Sequence, residues 1–260
     1  MTETVAAHRQ AGHRVRLEWG PTGAAAVAAG ADIAVVVDVL SFTTTLTVAV
    51  ERGITVYPFR WKDERAAAHA AERDAVLAVG RFEARQGQAG VSLSPSSLTT
   101  VEGVERLVLP SPNGSTIAFA LADSGATVVG ASLRNAGAVA AWLAPHVAAG
   151  ATLAVVPAGE RWPDGSLRPA VEDLWGAGAV LAAMQAVLAT GRPVDLSPEA
   201  RMAARAYADV AGTVTEALLA CASGRELVDV GFADDVRTAA EHDASTVVPV
   251  LDGEAFVAGA

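Results

Sequence analysis

The fold is decided by residues 33–45, which have the sequence IAVVVDVLSFTTT. The first five residues are apolar without alternation, which is typical of a strand buried on both faces of a parallel sheet. Asp38 ends the strand, and Ser41 or Thr43 is a candidate N-cap for a helix predicted over Leu40–Glu51. A buried strand followed at once by a helix predicts an α/β fold.

The same alternation continues along the chain. Short runs rich in Val and Ile predict buried strands over Ile33–Asp38, Ile54–Phe59, Ala75–Val79, Leu107–Leu109, Thr127–Gly130 and Leu153–Val156. Segments of helical period lie between them, over Lys62–Arg73, Ser115–Asp123 and Asn135–Val147. This order predicts a three-layer α/β/α sandwich with a mostly parallel sheet.

The pattern changes after Pro157. A polar loop over Ala158–Pro169 precedes a helix predicted from about Val171 to Thr190. A helical region over Pro198–Ala222, a short helix near Ala233–Ala244 and a closing strand over Val247–Leu251 follow it. The break at Gly191-Arg192-Pro193 leaves two interpretations open. It is a turn between packed helices of a single domain spanning 1–260, or it begins a C-terminal helical subdomain over 192–260.

The composition excludes several classes of protein. Of the 260 residues, 52% are hydrophobic and 18% are charged, which suffices for a core and argues against disorder. The net charge of −10 and the single lysine, Lys62, give no basic stripe, so we expect neither nucleic acid nor membrane as a partner. No apolar run is long enough to span a bilayer, and the charged first residues argue against a signal peptide. We therefore expect a cytoplasmic protein.

Missing motifs narrow the chemistry further. No glycine-rich dinucleotide motif, P-loop or G-x-S-x-G elbow is present. Leu40 stands where a D-x-D phosphatase has its second aspartate, and Cys221 has no following arginine cradle. Cys221, the single cysteine, is therefore expected in the core, and no disulfide or cysteine-built zinc site is possible within the chain. None of the five histidines follows a strand, so histidine acid–base chemistry is unsupported.

Polar residues that follow strands are the candidate site, because ligands of open α/β sheets bind beyond the carboxyl ends of the strands. Asp38 is either a ligand for a hard divalent cation or an acceptor in a turn. Glu172 and Asp173 open a helix, where the helix dipole alone accounts for acidic residues unless Asp38 lies nearby. Glu160 is expected to be a solvated surface carboxylate. The metal hypothesis therefore requires Asp38 and Asp173 to meet in one cleft.

A series of short motifs, in order over about residues 13–252, resembles the 2-phosphosulfolactate phosphatase (ComB-like) family. The motifs are Asp38-Val39-Leu40 with Thr43-Thr44-Thr45, Ser94-Pro95, Asn113-Gly114-Ser115, Asn135-Ala136, Ala158-Gly159, Glu172-Asp173 before Gly176-Ala177-Gly178, and a tail from Ser223 to Asp235. The resemblance implies a Mg²⁺-dependent hydrolase with an α/β/α fold.

The resemblance also implies roles for particular residues. Asp38, Asn113 and Asp173 are the catalytic candidates, and Asp38, Glu172 and Asp173 are the candidate Mg²⁺ ligands. The candidates for substrate binding are Thr43, Thr44, Ser94, Gly114, Ser115, Arg134 and Asn135.

Ser41 and Leu93 are among the departures from the family pattern, which also include Pro112 before Asn113-Gly114-Ser115 and a longer loop over Glu160–Pro169. Ser41 stands where members usually have arginine, and Leu93 stands where they usually have asparagine before Ser-Pro. With Ser41 in place of arginine, the site lacks a guanidinium that could donate two hydrogen bonds to a phosphate or sulfonate, and another arginine would have to supply it. Candidates for the missing guanidinium are Arg134, Arg161 and Arg168.

The leading functional hypothesis is a Mg²⁺-dependent phosphatase. Its substrate would be a small acidic phosphate monoester, 2-phosphosulfolactate or a related phospho-hydroxy acid. The alternative is a non-catalytic small-anion binding protein on the same fold. Ala-rich helices with Trp142 and Trp175 offer faces for a homodimer.

Overall fold

The computed structural model describes residues 6–60, 64–86, 91–189 and 193–259. The strands are β1 (Val15–Leu17), β2 (Ile33–Val37), β3 (Thr55–Phe59), β4 (Val76–Val79), β5 (Val91–Ser92), β6 (Arg106–Pro110), β7 (Thr127–Ala131), β8 (Leu153–Pro157), β9 (Glu160–Arg161), β10 (Leu167–Arg168), β11 (Pro249–Asp252) and β12 (Ala255–Ala258).

The helices fill the connections between these strands. They are α1 (Gly20–Val27), α2 (Phe42–Glu51), α3 (Glu64–Glu72), α4 (Arg81–Arg85), α5 (Pro95–Leu98), α6 (Gly114–Ala122), α7 (Ala136–Ala148), α8 (Val171–Val187), α9 (Pro198–Val210), α10 (Val214–Ala220), α11 (Ala222–Asp229) and α12 (Ala233–Ala240). Within the described ranges, no helix combines the length and the apolar character needed to cross a membrane.

The described strands other than β9 and β10 form one ten-stranded sheet in the order β1-β8-β2-β7-β11-β12-β3-β6-β4-β5. Strands β1, β8, β2 and β7 are parallel neighbours, and so are β3, β6, β4 and β5. The antiparallel hairpin β11–β12 joins the two groups. The predicted α/β class and mostly parallel sheet are confirmed.

Strand β2 shows why the sheet needs a layer of helices on each face. Val35 and Val37 pack into one core with α7, α8 and α9. Ala34 and Val36 pack into a second core with α1, α2 and α6. All of β2 is buried, because successive side chains of a strand point to opposite faces and both faces are covered.

The structure corrects several predicted boundaries. The segment over Ala158–Pro169 is not all loop, since β9 and β10 form a short antiparallel hairpin in it. The helical region predicted over Pro198–Ala222 contains two helices, α9 and α10, with Gly212 and Thr213 between them. Strand β12 follows the closing strand and was not predicted, nor were β1 and α1. Strand β1, with three residues, is too short for a hydrophobic pattern to indicate it.

Three predictions about organisation stay open. Gly191 and Arg192, at the predicted break, lie outside the described residues, as does Lys62 at the start of one predicted helix. The choice between one domain and a C-terminal subdomain therefore stays a prediction. Trp142 and Trp175 are partly buried against the core, and the homodimer also stays a prediction.

Helix α8 carries Glu172 and Asp173, and its position depends on close packing against α9. Gly178 lies so near α9 that a Cβ atom there would be 2.1 Å from the carbonyl oxygen of Ala203 and 2.7 Å from the Cβ of Tyr207. A glycine is therefore needed for this approach of the two helices, and the approach fixes the first turn of α8 at the edge of the sheet.

We expect Gly178→Ala to destabilise the protein by about 1–3 kcal/mol, because the overpacking outweighs the gain in helix propensity. Gly212→Ala is the matched control, since a Cβ there meets no atom within 4 Å. Urea unfolding of both variants measures the difference. Equal stability of the two variants would contradict the proposed role of the close approach.

Candidate active site

The structure brings Asp38 and Asp173 together at the carboxyl ends of β2 and β8. Asp173 accepts a hydrogen bond from the backbone N–H of Val39 on Oδ1 at 2.7 Å and one from Gly159 on Oδ2 at 2.9 Å. Val39 directly follows Asp38, and Gly159 lies two residues beyond β8. Asp38 and Asp173 therefore lie near each other, although they are far apart in sequence, and a shared cation site stays a prediction.

The carboxylates of this cluster are buried close to one another. Asp38, Glu172 and Asp173 are 6%, 2% and 3% exposed. Burial raises the pKa of Asp38 to about 7, and the charges of Glu160 and Glu172 add to the rise. Burial together with the charges of Asp38 and Glu172 raises the pKa of Asp173 well above its usual value. The cluster therefore favours binding of either protons or a cation.

Glu160 forms the outer wall of the cluster and is half-buried, not the solvated residue that the sequence suggested. Burial raises its pKa, and the charge of Glu172 adds to the rise. Its Oε2 accepts a hydrogen bond from Nδ2 of Asn113 at 3.2 Å, and Oδ1 of Asn113 accepts one from Nε of Arg161 at 3.1 Å. Asn113 therefore reaches the cluster from the end of β6.

The hydroxyl groups of Thr43 and Thr44 shape the loop that carries Asp38. Oγ1 of Thr43 accepts from the Asp38 N–H at 2.8 Å and donates to the Asp38 carbonyl at 2.8 Å. Oγ1 of Thr44 donates to the Val39 carbonyl at 2.6 Å. Both threonines are fully buried. The structure thus gives them a positioning role, and direct contact with a substrate stays a prediction.

Gly114 and Ser115 begin α6 beside this loop. The N–H of Gly114 donates to Oγ of Ser111 at 3.1 Å, and Oγ of Ser115 donates to the Leu109 carbonyl at 3.2 Å. A Cβ at Gly114 would lie 2.5 Å from the Phe42 ring. Gly114 therefore lets α2 and α6 approach each other next to Asp38, while substrate binding by the pair stays a prediction.

The structure does not bring Arg134 and Asn135 to the carboxylate cluster, contrary to the interpretation of both as substrate-binding residues. The buried guanidinium of Arg134 forms ion pairs with Glu51 and Glu241. The Asn135 amide accepts from the Ser132 N–H at 2.8 Å and donates to the Val247 carbonyl at 3.1 Å. These contacts join α2, the residue after α12 and the segment before β11 to the end of β7.

A second network, centred on Asp235 of α12, was missed by the sequence analysis. Asp235 is 1% exposed and accepts from Nε of Arg81 at 2.6 Å and from Oγ of Ser96 at 2.5 Å. Oγ of Ser94 also donates to it. Nη2 of Arg81 donates to the Leu40 carbonyl at 2.9 Å. Ser94 is therefore connected to the Leu40 carbonyl, in the loop after Asp38, through Asp235 and Arg81. It does not belong to the carboxylate cluster itself.

Arg81 follows Gly80 at the end of β4. Its position therefore agrees with the expectation that polar residues after strands form the site. Its positive charge lowers the pKa values of Asp38 and Glu160. The end of β4 was not among the strand ends from which candidates were taken. The same expectation applied there would have found Arg81.

Cys221 lies beside Glu172 and is buried, as predicted for a core residue. Burial raises the pKa of its thiol to about 12, and the charge of Glu172 adds to the rise. The thiol is therefore protonated near neutral pH, which agrees with the sequence argument against a cysteine nucleophile.

The donor set fits a Mg²⁺ ion held by one or two carboxylates. In the part of the chain that the structure describes, no group of three or more His, Cys, Asp or Glu side chains is arranged to hold a metal. Mg²⁺ commonly keeps several waters and binds through one or two carboxylates and phosphate oxygens. Asp38 with Asp173 supplies that number, and the buried negative charge favours a cation.

The family model described as 2-phosphosulpholactate phosphatase matches residues 24–254 of the chain. The chain belongs to this family. The match includes every residue of the carboxylate cluster, so the family suggested by the order of the motifs is confirmed. The protein is accordingly a phosphoric monoester hydrolase. In this phosphatase the carboxylate cluster at the ends of β2 and β8 is the candidate catalytic centre.

We expect the metal-free phosphatase to lose stability as the pH rises from about 4 to about 7. Over this range an unfolded Asp38 is ionised, whereas the folded one, with a pKa of about 7, keeps its proton. The unfolded state then binds fewer protons, so the free energy of unfolding falls by up to about 1.4 kcal/mol per pH unit for one such group.

Urea unfolding in EDTA at several pH values measures this decline. Asp38→Asn, which mimics the protonated acid, should make it shallower, whereas Asp123→Asn at an exposed position should leave it unchanged. A decline that is identical in the two variants would contradict the electrostatic account.

We expect Asp235→Asn to destabilise the phosphatase by about 3 kcal/mol, because it leaves Arg81 without its buried anionic partner. The neighbouring Asp234, whose side chain is 82% exposed, gives the matched control. Asp234→Asn should change stability by less than about 0.5 kcal/mol. Thermal unfolding of both variants tests the difference, and a stable Asp235→Asn protein would show that the network is dispensable.

Proposed function

We propose that this phosphatase is a Mg²⁺-dependent enzyme acting on a small acidic phosphate monoester, 2-phosphosulfolactate or a related phospho-hydroxy acid. The observation that carries the proposal is the burial of Asp38 and Asp173 near each other, so that the charge of Asp38 raises the pKa of Asp173, in a chain that belongs to the 2-phosphosulpholactate phosphatase family. Three buried carboxylates surrounded by few cations would repel an anionic substrate. A bound divalent cation reverses that potential.

Asp38 is the carboxylate best suited to hold the cation directly. The backbone N–H of Phe42 lowers the pKa of Asp38, whereas each oxygen of Asp173 accepts a hydrogen bond from a backbone N–H group. Glu172, the third predicted ligand, lies near Cys221. When bound there, Mg²⁺ supplies neutralisation of phosphate charge and a Lewis acid for the phosphoryl group.

Glu160 is the residue that we assign to proton transfer. Hydrolysis joins a water oxygen to phosphorus, breaks the bond to the ester oxygen, and moves a proton from that water to the leaving oxygen. A half-buried carboxylate whose pKa lies above its usual value suits this task, because it holds a proton more readily than an exposed carboxylate does. Its hydrogen bond from Asn113 holds it in place.

Asn113 supplies an amide group next to Glu160, at the outer side of the carboxylate cluster. Its amide lies at the start of α6, where the helix dipole favours a negatively charged ligand. An amide donor at this position can bind a phosphate oxygen without adding another charge to the site. Asn113 therefore both orients Glu160 and contributes to phosphate binding.

We expect purified protein with Mg²⁺ to release phosphate from phosphorylated hydroxy acids, and EDTA to abolish the release. Asp38→Asn should lower kcat by at least about 100-fold, because it removes a charged cation ligand. Asp123→Asn is the matched control at an exposed aspartate. Phosphate release and calorimetric Mg²⁺ binding are the two measurements.

Turnover that survives both EDTA and Asp38→Asn would refute the metal hypothesis. Calorimetric binding of a phosphorylated acid without any turnover would instead favour the non-catalytic small-anion binding protein. Loss of Mg²⁺ binding together with loss of turnover in Asp38→Asn is the result that the proposal requires.

A further inference from the structure

The hairpin β9–β10 places an arginine opposite Glu160. In the antiparallel register, Arg168 pairs with Glu160 and Leu167 pairs with Arg161. Residues directly opposite each other in an antiparallel pair have their side chains on the same face. Glu160 faces Asn113 and the carboxylate cluster, so Arg168 lies on the face of the hairpin that is turned toward the cluster.

Arg168 differs from the other arginines near the site in its partners. Its Nη2 donates to the Ser223 hydroxyl at 2.9 Å, and its guanidinium carbon lies 5.8 Å from the centre of a Trp162 ring. Over residues 6–60, 64–86, 91–189 and 193–259, no carboxylate lies within ion-pair distance of Arg168. Its charge is therefore not neutralised by a contact partner.

Three other arginines, Arg81, Arg134 and Arg161, already form ion pairs or hydrogen bonds through at least two of their nitrogen atoms. Arg81 is held by Asp235 and the Leu40 carbonyl, and Arg134 is held by Glu51 and Glu241. Nε of Arg161 donates to Asn113, and Nη1 of Arg161 donates to the carbonyl of Gly165 in the same hairpin. Arg168 is thus the guanidinium near the cluster that is best able to accept a new anionic partner.

We propose that Arg168 binds the second anionic group of the substrate, its carboxylate or sulfonate, and thereby selects acidic phosphate esters over neutral ones. This inference rests on the proposed function for the position of the phosphate. Arg168 lies opposite Glu160, on the hairpin side of the cluster, whereas the phosphate is assigned to the Asp38 side. Guanidinium groups bind carboxylates and sulfonates through two parallel hydrogen bonds, which suits a group held at a fixed distance from the phosphate.

The test compares two esters with the same carbon skeleton. In 2-phospholactate a carboxylate stands where isopropyl phosphate has a methyl group. Because the charge of Arg168 also lowers the pKa of Glu160, the variant is judged by the ratio of the two esters. Arg168→Gln should lower kcat/KM for 2-phospholactate by about 10–100-fold more than that for isopropyl phosphate, mainly through KM. Arg106→Gln is the control, because Arg106 is a partly exposed arginine on β6 paired with Asp74.

An equal loss on both esters, or no loss on either, would overturn the inference, as would the same selectivity change in Arg106→Gln. Calorimetric binding of both esters in the presence of Mg²⁺ separates this result from the proposed function. If wild-type protein binds 2-phospholactate more tightly than isopropyl phosphate without hydrolysing either, and Arg168→Gln abolishes that preference, the role of Arg168 stands while the proposed function fails. If the wild-type protein shows no preference for the acidic ester, the inference fails whatever its activity.

Discussion

The two hydrogen bonds accepted by the Asp173 carboxylate join three separate parts of the chain. One oxygen binds the N–H of Val39 after β2, and the other binds the N–H of Gly159 after β8. Both N–H groups are buried and need an acceptor. Since Asp173 stands in the first turn of α8, one side chain fixes the helix to two neighbouring strand ends. The geometry of the candidate active site follows from this contact.

The same contact creates an electrostatic cost that is linked to function. Val39 and Gly159 stabilise the ionised form of Asp173, but burial and the neighbouring charges of Asp38 and Glu172 oppose it. A buried cluster of carboxylates is favourable only when protons or a cation neutralise part of its charge. The backbone therefore holds these carboxylates together although their negative charge is not compensated until protons or a cation bind. This is the physical link between the fold and phosphatase chemistry.

The sequence predicted the elements with strong local patterns and missed those without one. Strand β2 and helix α8 have long apolar runs, and the predicted bounds nearly match the structure. The rule that polar residues follow strands found Asp38 and Asp173. Thr43 was also found, but its hydroxyl binds the backbone of Asp38. A threonine at a strand end has the same sequence signal whether it binds a ligand or shapes a turn.

Contacts between distant segments could not be read from local patterns. Asp235 lies 154 positions beyond Arg81, and an acidic residue in the first turn of α12 has a sufficient local explanation in the helix dipole. Arg134 shows the opposite error, since it follows a strand yet pairs with Glu51 and Glu241. The position of a charge in the sequence gives its place on the sheet, whereas its partner depends on which helices pack around it.

The arginines show how the site can retain a guanidinium although Ser41 stands where the family pattern leads one to expect arginine. Arg81, from α4, donates to the carbonyl of Leu40, next to Ser41, and its charge acts on Asp38. A buried acid, Asp235, fixes that guanidinium, so Arg81 contributes a constant local field. Arg168 has a hydroxyl as its hydrogen-bonding partner, and binding an anion there would not require breaking an ion pair. Two arginines from separate elements therefore have separate roles. Arg81, fixed beside Asp38, supports the cluster electrostatically, and Arg168, opposite Glu160 and without an ion pair among the described residues, selects the substrate.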